Sequence, residues 1–295
     1  MRDRRRRSWA ALAVVLTSVV GVTGCDVMGG DSPAPAASRA RATHAAPVWD
    51  RSPSSVAAVG DSITRGFDAC TVLSDCPEVS WATGTSTRFD SLAVRLLGRT
   101  RAAEYSWNYA ETGARMADLP AQMAQAARRG PQLVTVLAGA NDACRTSAPA
   151  MTSVDDFREQ FEEAMHTLRK ASPKTQVYVA SVPNLKRLWS QGRTNQLGKQ
   201  VWRLAGLCPS MLGDADDLAM SATLRRDRVQ QRVEAYNKVL AEVCAKDRRC
   251  RFDGGAVFDF EFGTDQLSHW DWFHPSTDGQ ARLAAIAYRK VTAPR

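Results

Sequence analysis

Residues 55–64 read SVAAVGDSIT, an apolar run that ends in a glycine, an acid and a serine. The run Val56–Val59 contains only valine and alanine, as expected of a strand that is buried on both faces. Gly60 can turn sharply directly after the strand. The stretch therefore predicts a buried parallel strand that places Ser62 at the carboxyl edge of a sheet, where ligands of such sheets bind.

Strand-like and helical segments alternate along the rest of the chain. Strands are predicted at Val56–Val59, Glu104–Tyr109, Leu133–Leu137, Gln176–Val182 and Arg251–Phe258. Helices are predicted near residues 88–98, 115–129, 154–171, 222–246 and 276–291. Such alternation indicates a parallel sheet that is covered by helices on both faces. We therefore expect an α/β protein with three layers.

Two further segments bear on where a site lies. In the predicted helix 154–171, Phe157, Phe161 and Leu168 fall on one stripe, and His166 points away from it. His166 is therefore expected to be solvated and to take no part in catalysis. Residues 183–221 contain four glycines and show weaker periodicity, which predicts an insertion that frames the functional edge of the sheet.

The start of the chain is typical of an export signal. Five arginines precede an apolar run of about 14 residues, which is too short to span a bilayer because a span needs about 20. The sequence Val22-Thr23-Gly24-Cys25 resembles the processing box of bacterial lipoproteins, in which Cys25 becomes the lipidated first residue. The alternative is an ordinary secretory signal that is cleaved nearby. Arg6-Arg7 also leaves a twin-arginine route open.

The charge distribution argues against a nucleic-acid partner. The formal net charge is +8, and half of it lies in the first 24 residues. The remainder is ordinary for a chain of this length, and no later segment interleaves basic and aromatic residues. Residues 26–50 are rich in Ala, Pro, Ser and Gly and predict a flexible tether. The predicted organisation is a signal segment at 1–25, a tether at 26–50 and one domain at 51–295.

Cysteine usage agrees with export. Six cysteines remain besides Cys25, and an even number outside the cytosol favours disulfides. Six cysteines allow fifteen connectivities, and the competing interpretation is a metal cluster, although no CxxC or HxxxH spacing occurs. We predict three sequential bridges: Cys70–Cys76, Cys144–Cys208 and Cys244–Cys250.

A serine nucleophile needs a general base, usually a histidine that an acid orients. Of the four histidines, one lies in the tether and His166 on the solvated helix face, which leaves His269 and His274. Residues 268–276 read SHWDWFHPS, with Asp271 three residues before His274. At that offset the carboxylate can reach the ring Nδ1–H, so that Nε2 faces the serine. His269 has no acid at this offset, and His274 is the predicted base.

Acyl transfer also needs donors for the developing oxyanion. Gly113 follows the second predicted strand and would let a backbone N–H approach a ligand closely. After the third predicted strand the chain reads Gly139-Ala140-Asn141-Asp142, where the amide of Asn141 can be a further donor. Each of these motifs alone is more often a turn or a helix cap.

The four motifs occur in the order found in the SGNH hydrolases, the GDSL esterase and lipase family, and the resemblance covers about residues 55–291. It implies a flavodoxin-like sandwich with five parallel strands. It also implies Ser62 as nucleophile, His274 as base and Asp271 as its orienting acid. The sequence contains no P-loop, no Gly-x-Gly-x-x-Gly after a strand and no zinc spacing, so no metal or cofactor is expected. The oxyanion hole would consist of the N–H groups of Ser62 and Gly113 and the side chain of Asn141. Two departures are an isoleucine at position 63, where the family has leucine, and no clear Asn-x-Gly in the second motif.

Within that family the chain is most similar to the phospholipase-B-like branch, in short stretches at residues 80–84, 113–120, 141–144 and 207–209. This similarity implies hydrolysis of acyl esters, including those of lipids. Four tryptophans near the expected site, Trp189, Trp202, Trp270 and Trp272, could form an apolar groove or belong to the core. The alternatives are a carbohydrate acetyl esterase and an inactive SGNH-fold binding lipoprotein. The expected location is outside the cytoplasm, on the membrane through Cys25 or secreted, with an ester as ligand and no prediction of oligomeric state.

Overall fold

The computed structural model describes residues 49–294. The predicted signal segment with Cys25, and residues 26–48 of the predicted tether, lie outside the described residues. Trp49, which the sequence placed at the end of the tether, packs against the domain: it is 6% exposed, and its indole N–H donates to the carbonyl of Val291 at 2.9 Å. The folded part of the chain therefore begins before residue 51.

The sheet has five strands, all parallel, as the family resemblance implied. The strands are β1 (Val56–Gly60), β2 (Ser106–Asn108), β3 (Leu133–Leu137), β4 (Gln176–Val179) and β5 (Cys250–Phe252), in the spatial order β2-β1-β3-β4-β5. β1 pairs with β3 over its whole length, and both strands are entirely buried. The end of β1 therefore lies between β2 and β3, at the point where the strand order reverses and ligands of such folds bind.

Helices cover both faces of the sheet. In chain order they are α1 (Ser62–Arg65), α2 (Leu92–Leu97), α3 (Arg99–Tyr105), α4 (Leu119–Ala127), α5 (Ala140–Ala143), α6 (Val154–Ala171), α7 (Leu185–Gly192), α8 (Gln196–Ala205), α9 (Pro209–Leu212), α10 (Met220–Ala245) and α11 (Thr277–Thr292). Alternate residues of β1 enter different cores: Ala57 and Val59 pack on the side of α6, and Val56 and Ala58 on the side of α11. The three-layer α/β/α sandwich is thereby confirmed.

Most predicted elements are present, with differences at their ends. The helix predicted at 154–171 has these bounds, and His166 is exposed on it as expected. β2 begins at Ser106 and not at Glu104 because α3 continues through Tyr105. β5 ends at Phe252, six residues before its predicted end, because the buried carboxylate of Asp253 accepts hydrogen bonds from nearby backbone N–H groups and turns the chain.

The insertion at 183–221 is helical, where weak periodicity predicted only an irregular framing segment. It contains α7, α8 and α9. Asn184 and Asn195 cap the first two of these helices, each side chain accepting a backbone N–H three residues later. The glycines that weakened the helical pattern have packing roles: a Cβ on Gly198 would lie 3.0 Å from the Trp272 ring.

Three disulfides cross-link the domain: Cys70–Cys76, Cys144–Cys208 and Cys244–Cys250. Disulfides form and persist in oxidising compartments, so the protein is extracytoplasmic. Between residues 49 and 294, none of the helices has the length and apolar composition that a bilayer-spanning segment requires.

Candidate active site

The nucleophile predicted from the sequence stands at the end of β1. Gly60 has φ +144°, and a Cβ there would lie 2.1 Å from the carbonyl oxygen of Leu137 on β3, so only glycine fits. The buried side chain of Gln122 holds this residue from α4: its oxygen accepts the Gly60 N–H at 2.7 Å and its amide donates to the Gly60 carbonyl at 3.0 Å. Ser62 is the first residue of the short helix α1.

Asp61 precedes the serine and begins α1. One of its carboxylate oxygens accepts the N–H of Ile63 at 2.9 Å, which caps the helix. The other oxygen is buried without a partner within residues 49–294. Burial is the main cause that raises the pKa of the Asp61 carboxyl to about 7, and the charge of Asp142 adds to it.

The imidazole of His274 lies between Ser62 and Asp271. Its Nε2 is 2.9 Å from the Ser62 hydroxyl oxygen, and its Nδ1 is 2.6 Å from a carboxylate oxygen of Asp271. The other Asp271 oxygen accepts the backbone N–H groups of Phe273 and His274 at 2.9 and 3.0 Å. The structure thus brings Ser62 together with Asp271 and with His274, which lies 212 residues later in the chain.

The electrostatics favour an ionised Asp271. Burial acts to raise the pKa of this carboxyl, but the hydrogen bond from His274 and the two backbone N–H groups hold the pKa below its usual value. An ionised carboxylate accepts the Nδ1–H, which leaves the Nε2 lone pair directed at the serine hydroxyl. The arrangement can remove a proton from Ser62 and stabilise the resulting imidazolium.

Several contacts hold the loop 268–276, called here the histidine loop. The N–H of Ser268 donates to the His274 carbonyl at 2.7 Å, and the indole N–H of Trp202 donates from α8 to the Asp271 carbonyl at 2.8 Å. From α11, Gln280 donates to the carbonyl of Ile63 at 2.8 Å, so the helix after the loop also holds the nucleophile.

Sequence reasoning missed Gln122, Gln280 and the acid Asp68. Gln122 lies 62 residues from Gly60, and Gln280 lies 217 residues from Ile63. No short-range pattern marks a glutamine whose partner is that distant. For the two glutamines, the available signal was a polar residue on an otherwise apolar helix face. This signal does not reveal the partner.

Asn141, predicted as an oxyanion donor, lies beside Ser62 and lines the same cavity. Its side-chain amide donates to the carbonyl of Ala114 at 2.9 Å, which leaves its second N–H for another acceptor. This bond connects Asn141 to the turn that contains Gly113. Gly139 has φ +120° and passes so close to Val182 that a Cβ would lie 2.8 Å from that side chain.

Gly113 lies in an exposed turn with φ +86° and does not line the cavity. A Cβ there would contact nothing within 4 Å, so the reason for glycine is the backbone conformation and not crowding. Within the described residues, the N–H groups of Ser62 and Gly113 donate to no protein oxygen.

A small cavity of about 40 Å³ adjoins Ser62, Asn141 and His274. Its walls are mainly apolar: Ile63, Leu185, Leu188, Phe262, Leu267 and Phe273. None of the four tryptophans proposed for a groove lines it. Trp202 is buried in the core at 2% exposure, and Trp270 is 38% exposed. A larger cavity of about 530 Å³ lies between α8 and residues 209–217, and no residue of the Ser62–His274–Asp271 group borders it.

Comparison with known families agrees with this geometry. A family model for GDSL-like lipases and acylhydrolases matches residues 56–287, most of the chain. The chain belongs to this family. It is therefore a serine ester hydrolase of the SGNH fold, as the order of the four motifs predicted. The match does not assign this SGNH hydrolase to the phospholipase-B-like branch, and no curated protein sequence matches it.

The chain is also similar, at low sequence identity, to several solved structures. An acetyl-xylooligosaccharide esterase, Axe2 from a Geobacillus, is 14% identical over 82% of this chain and 95% of its own, with a TM-score of 0.49. An extracellular lipase from Streptomyces rimosus is 17% identical over 79% and 99%, with a TM-score of 0.45. A family 3 carbohydrate esterase from Clostridium thermocellum is 13% identical over 80% and 94%, with a TM-score of 0.46. Likeness at this level does not identify the substrate of this SGNH hydrolase.

Proposed function

We propose that the protein hydrolyses carboxylic esters through a covalent acyl-enzyme on Ser62. In the first half-reaction His274 Nε2 takes the Ser62 hydroxyl proton while the oxygen attacks the ester carbonyl. The tetrahedral intermediate then collapses, the C–O bond to the alcohol breaks, and the imidazolium gives its proton to the leaving alkoxide. Asp271 stabilises the imidazolium throughout and keeps its own negative charge.

Water completes the cycle in the second half-reaction. His274 takes a proton from water, the hydroxide attacks the acyl carbonyl, and the Ser62 oxygen leaves and recovers the proton. In both half-reactions the negative oxygen would accept hydrogen bonds from the N–H groups of Ser62 and Gly113 and from the Asn141 amide. Removal of one such donor typically lowers kcat by about 10²–10³-fold.

The observation that carries the proposal is the continuous contact from Ser62 through His274 to Asp271. The test compares Ser62→Ala with Ser221→Ala, which makes the same change at an exposed position of α10. With p-nitrophenyl acetate, the first variant should lose all but a residual rate, and the second should match the wild type. Equal rates for Ser62→Ala and the wild type would contradict the proposal.

We propose that the acyl group is short. The cavity beside Ser62 measures about 40 Å³, whereas pockets that enclose a drug-sized ligand measure about 300–1,000 Å³. A small apolar site of this size suits an acyl group of a few carbon atoms better than it suits a fatty-acid chain. This favours the acetyl esterase alternative over the lipid substrate that the phospholipase-B-like stretches suggested.

A series of substrates separates these candidates. The kcat/KM for p-nitrophenyl esters should fall from acetate to octanoate, and acetyl xylan should be a better substrate than phosphatidylcholine. Leu188→Ala enlarges the cavity and should raise the octanoate rate relative to acetate, whereas Leu224→Ala, on the exposed side of α10, should not. A wild-type preference for octanoate or for phosphatidylcholine would reject the short-acyl proposal and leave the esterase proposal intact.

The alternative outside catalysis that the sequence left open is an inactive binding lipoprotein. A fluorophosphonate probe distinguishes it, because the probe reacts only with an activated serine. We expect covalent labelling of the wild type and none of Ser62→Ala. An unlabelled wild-type protein that still binds acetylated saccharides would favour the binding role.

We also propose that Cys25 is lipidated and holds the enzyme at the membrane. The support is the apolar run followed by Val22-Thr23-Gly24-Cys25. Two or more acyl chains on one residue make attachment stable, whereas one chain gives only reversible binding. In the producing bacterium, Cys25→Ser should move the enzyme from the membrane fraction to the medium. A secreted wild-type enzyme would instead support the ordinary signal peptide.

A further inference from the structure

A second buried carboxyl group contacts the proposed triad. Carboxyl oxygens of Asp68 and Asp271 and a ring nitrogen of His274 all lie within 4.8 Å of one another. Asp68 is 3% exposed, and the mechanism described above gives it no role.

The surrounding loop holds Asp68 in place. Residues 68–76, called here the disulfide loop, are closed by the Cys70–Cys76 bridge. The Asp68 N–H donates to the Ser74 carbonyl at 3.0 Å, and its carboxylate accepts the N–H of Leu73. The Asp68 carbonyl accepts the hydroxyl of Ser268 at 2.7 Å, which joins the disulfide loop to the histidine loop.

The backbone of Asp68 is also unusual. Its φ of +55° is a left-handed conformation that a residue with a side chain seldom adopts. Such conformations carry a free-energy cost of about 1–3 kcal/mol and are concentrated at functional sites. Glycine or asparagine would adopt this conformation more easily, so the backbone alone does not explain an aspartate here.

Two carboxyl groups in contact do not both ionise freely. Burial and the neighbouring Asp271 raise the pKa of the Asp68 carboxyl to about 6. Hydrogen bonds hold the pKa of the Asp271 carboxyl below its usual value despite burial. Of the two carboxyl groups, Asp68 is therefore the one that takes up a proton in mild acid.

We propose that Asp68 is a positioning residue that sets the basicity of His274 through its contact with Asp271. Ionised Asp68 adds a second negative charge beside the imidazole and favours the imidazolium that forms in the transition state. Protonated Asp68 removes that charge and takes up part of the electron density of Asp271, which makes His274 a weaker base. The inference rests on the proposed triad.

The charged groups that act on this assembly come from three elements. Asp271 and His274 face Asp68 from the histidine loop, and the disulfide loop contributes the backbone N–H of Leu73. Asp61, directly after β1, interacts with the same imidazole, and its pKa of about 7 lies close to that of Asp68. An experiment on Asp68 must therefore separate its effect from that of Asp61.

The test is the pH dependence of kcat/KM for p-nitrophenyl acetate in Asp68→Asn. Asparagine suits a positive φ and keeps an acceptor for the Leu73 N–H. With the charge absent, His274 becomes less basic, so the acid limb should move to lower pH by about one unit. The plateau above pH 8 should fall several-fold, and the profiles of variant and wild type should converge below pH 6.

Matched variants complete the design. Asp75→Asn removes a carboxylate of the same loop that pairs with Arg65 at 3.0 Å, and its profile should match the wild type. The Asp68→Asn displacement should recur in an Asp61→Asn background. Asp68→Gly also suits the positive φ and should displace the acid limb equally, which covers the case in which the asparagine variant does not fold.

Two outcomes would overturn the inference. If Asp68→Asn lowers activity by the same factor at every pH, or leaves the profile unchanged, Asp68 has only a structural role. Failure of the triad proposal itself is distinguishable, because Ser62→Ala and Asp271→Asn would then retain wild-type activity whatever the profile of Asp68→Asn.

Discussion

At the scale of single residues, the site depends on buried carboxyl groups that differ in their protonation. Asp271 accepts three hydrogen bonds, which favour its ionised form. Asp61 accepts one and has a buried oxygen without a partner in residues 49–294, which favours its neutral form. The two buried acids therefore favour different protonation states, and the ionised Asp271 is the one that orients the imidazole.

The Asp271 carboxylate gives a first residue-scale prediction. Asp271→Asn preserves the shape of the side chain but allows the amide to donate to Nδ1, so that Nε2 carries the proton and cannot accept one from Ser62. We expect kcat to fall by about 10³–10⁴-fold. Steady-state kinetics at pH 8 measure it, with circular dichroism to verify the fold. A decrease of less than tenfold would show that Asp271 does not set the tautomer.

The second residue-scale prediction concerns Asp61 and the pH dependence of stability. Folding raises the pKa of this carboxyl from its ordinary value near 4 to about 7. Between these two values the folded state binds more protons than the unfolded state, so this group lowers the free energy of unfolding as pH rises from 4 to 7. Asp61→Asn removes this decrease in the free energy of unfolding.

Urea denaturation at pH 4.5 and pH 8 tests this sign. The free energy of unfolding of Asp61→Asn minus that of the wild type should be larger at pH 8 than at pH 4.5. A difference between the two proteins that is constant with pH, or that changes in the opposite direction, would contradict a raised pKa for Asp61.

At the scale of elements, β1 and its turn place the nucleophile. β1 lies against β3 along its full length, and the Gly60 backbone passes directly against the carbonyl of Leu137. Gly60→Ala must push these central strands apart and should destabilise the protein by more than about 2 kcal/mol. Gly98→Ala is the matched control, because Gly98 also has positive φ but a Cβ there contacts nothing within 4 Å.

Thermal unfolding of the two glycine variants separates strain from crowding. The control reports the strain of a side chain at positive φ alone, and the additional loss in Gly60→Ala reports the clash. Equal losses in both variants would mean that the close approach of β1 and β3 is not rigid.

The elements also show what the sequence could predict. The patterns that are complete within a short window were predicted well: the buried run of β3, the apolar stripe of α6, and the Asp-x-x-His pair. The ends of β2 and β5 were wrong, because a preceding helix and the buried carboxylate of Asp253 determine them. α7 and α8 were missed because their glycines fit against Trp202 and Trp272, which no local pattern indicates.

At the scale of the whole molecule, distant segments are held together around one edge of the sheet. The Cys144–Cys208 bridge closes a loop of 64 residues and joins the segment after Asn141 to the insertion, whereas Cys70–Cys76 closes a loop of six. In the chain-entropy description, bridges of these lengths contribute about 4 and about 2 kcal/mol to stability. The sequence predicted the short bridge from the proximity of its two cysteines, and the long bridge as the pair that remained.

We predict that the bridge closing the longer loop stabilises the domain more than the bridge closing the shorter one. Replacing both cysteines of the 144–208 bridge with alanine should lower the free energy of unfolding by about 2 kcal/mol more than the same change in the 70–76 bridge. Guanidinium denaturation of the two double variants measures it. A larger loss for the short loop would show that local packing, and not loop length, determines how much each bridge stabilises the domain.

The meeting of Ser62, His274 and Asp271 could be predicted because each lies at a strand end or in a short motif, and the order of motifs resembled a known family. The supporting residues Gln122, Gln280 and Asp68 could not, because each contacts a partner through the folded chain alone. The size of the cavity beside Ser62 was equally hidden, since its walls come from five separate segments.

The central claim is that Ser62 is the activated nucleophile. Its most direct test is peptide mapping of the purified protein after treatment with a fluorophosphonate, which locates the covalent adduct by mass. The account predicts one adduct on the peptide that contains Ser62, formed at a rate that falls steeply in His274→Ala. An adduct on another residue, or labelling that persists in Ser62→Ala, would contradict it.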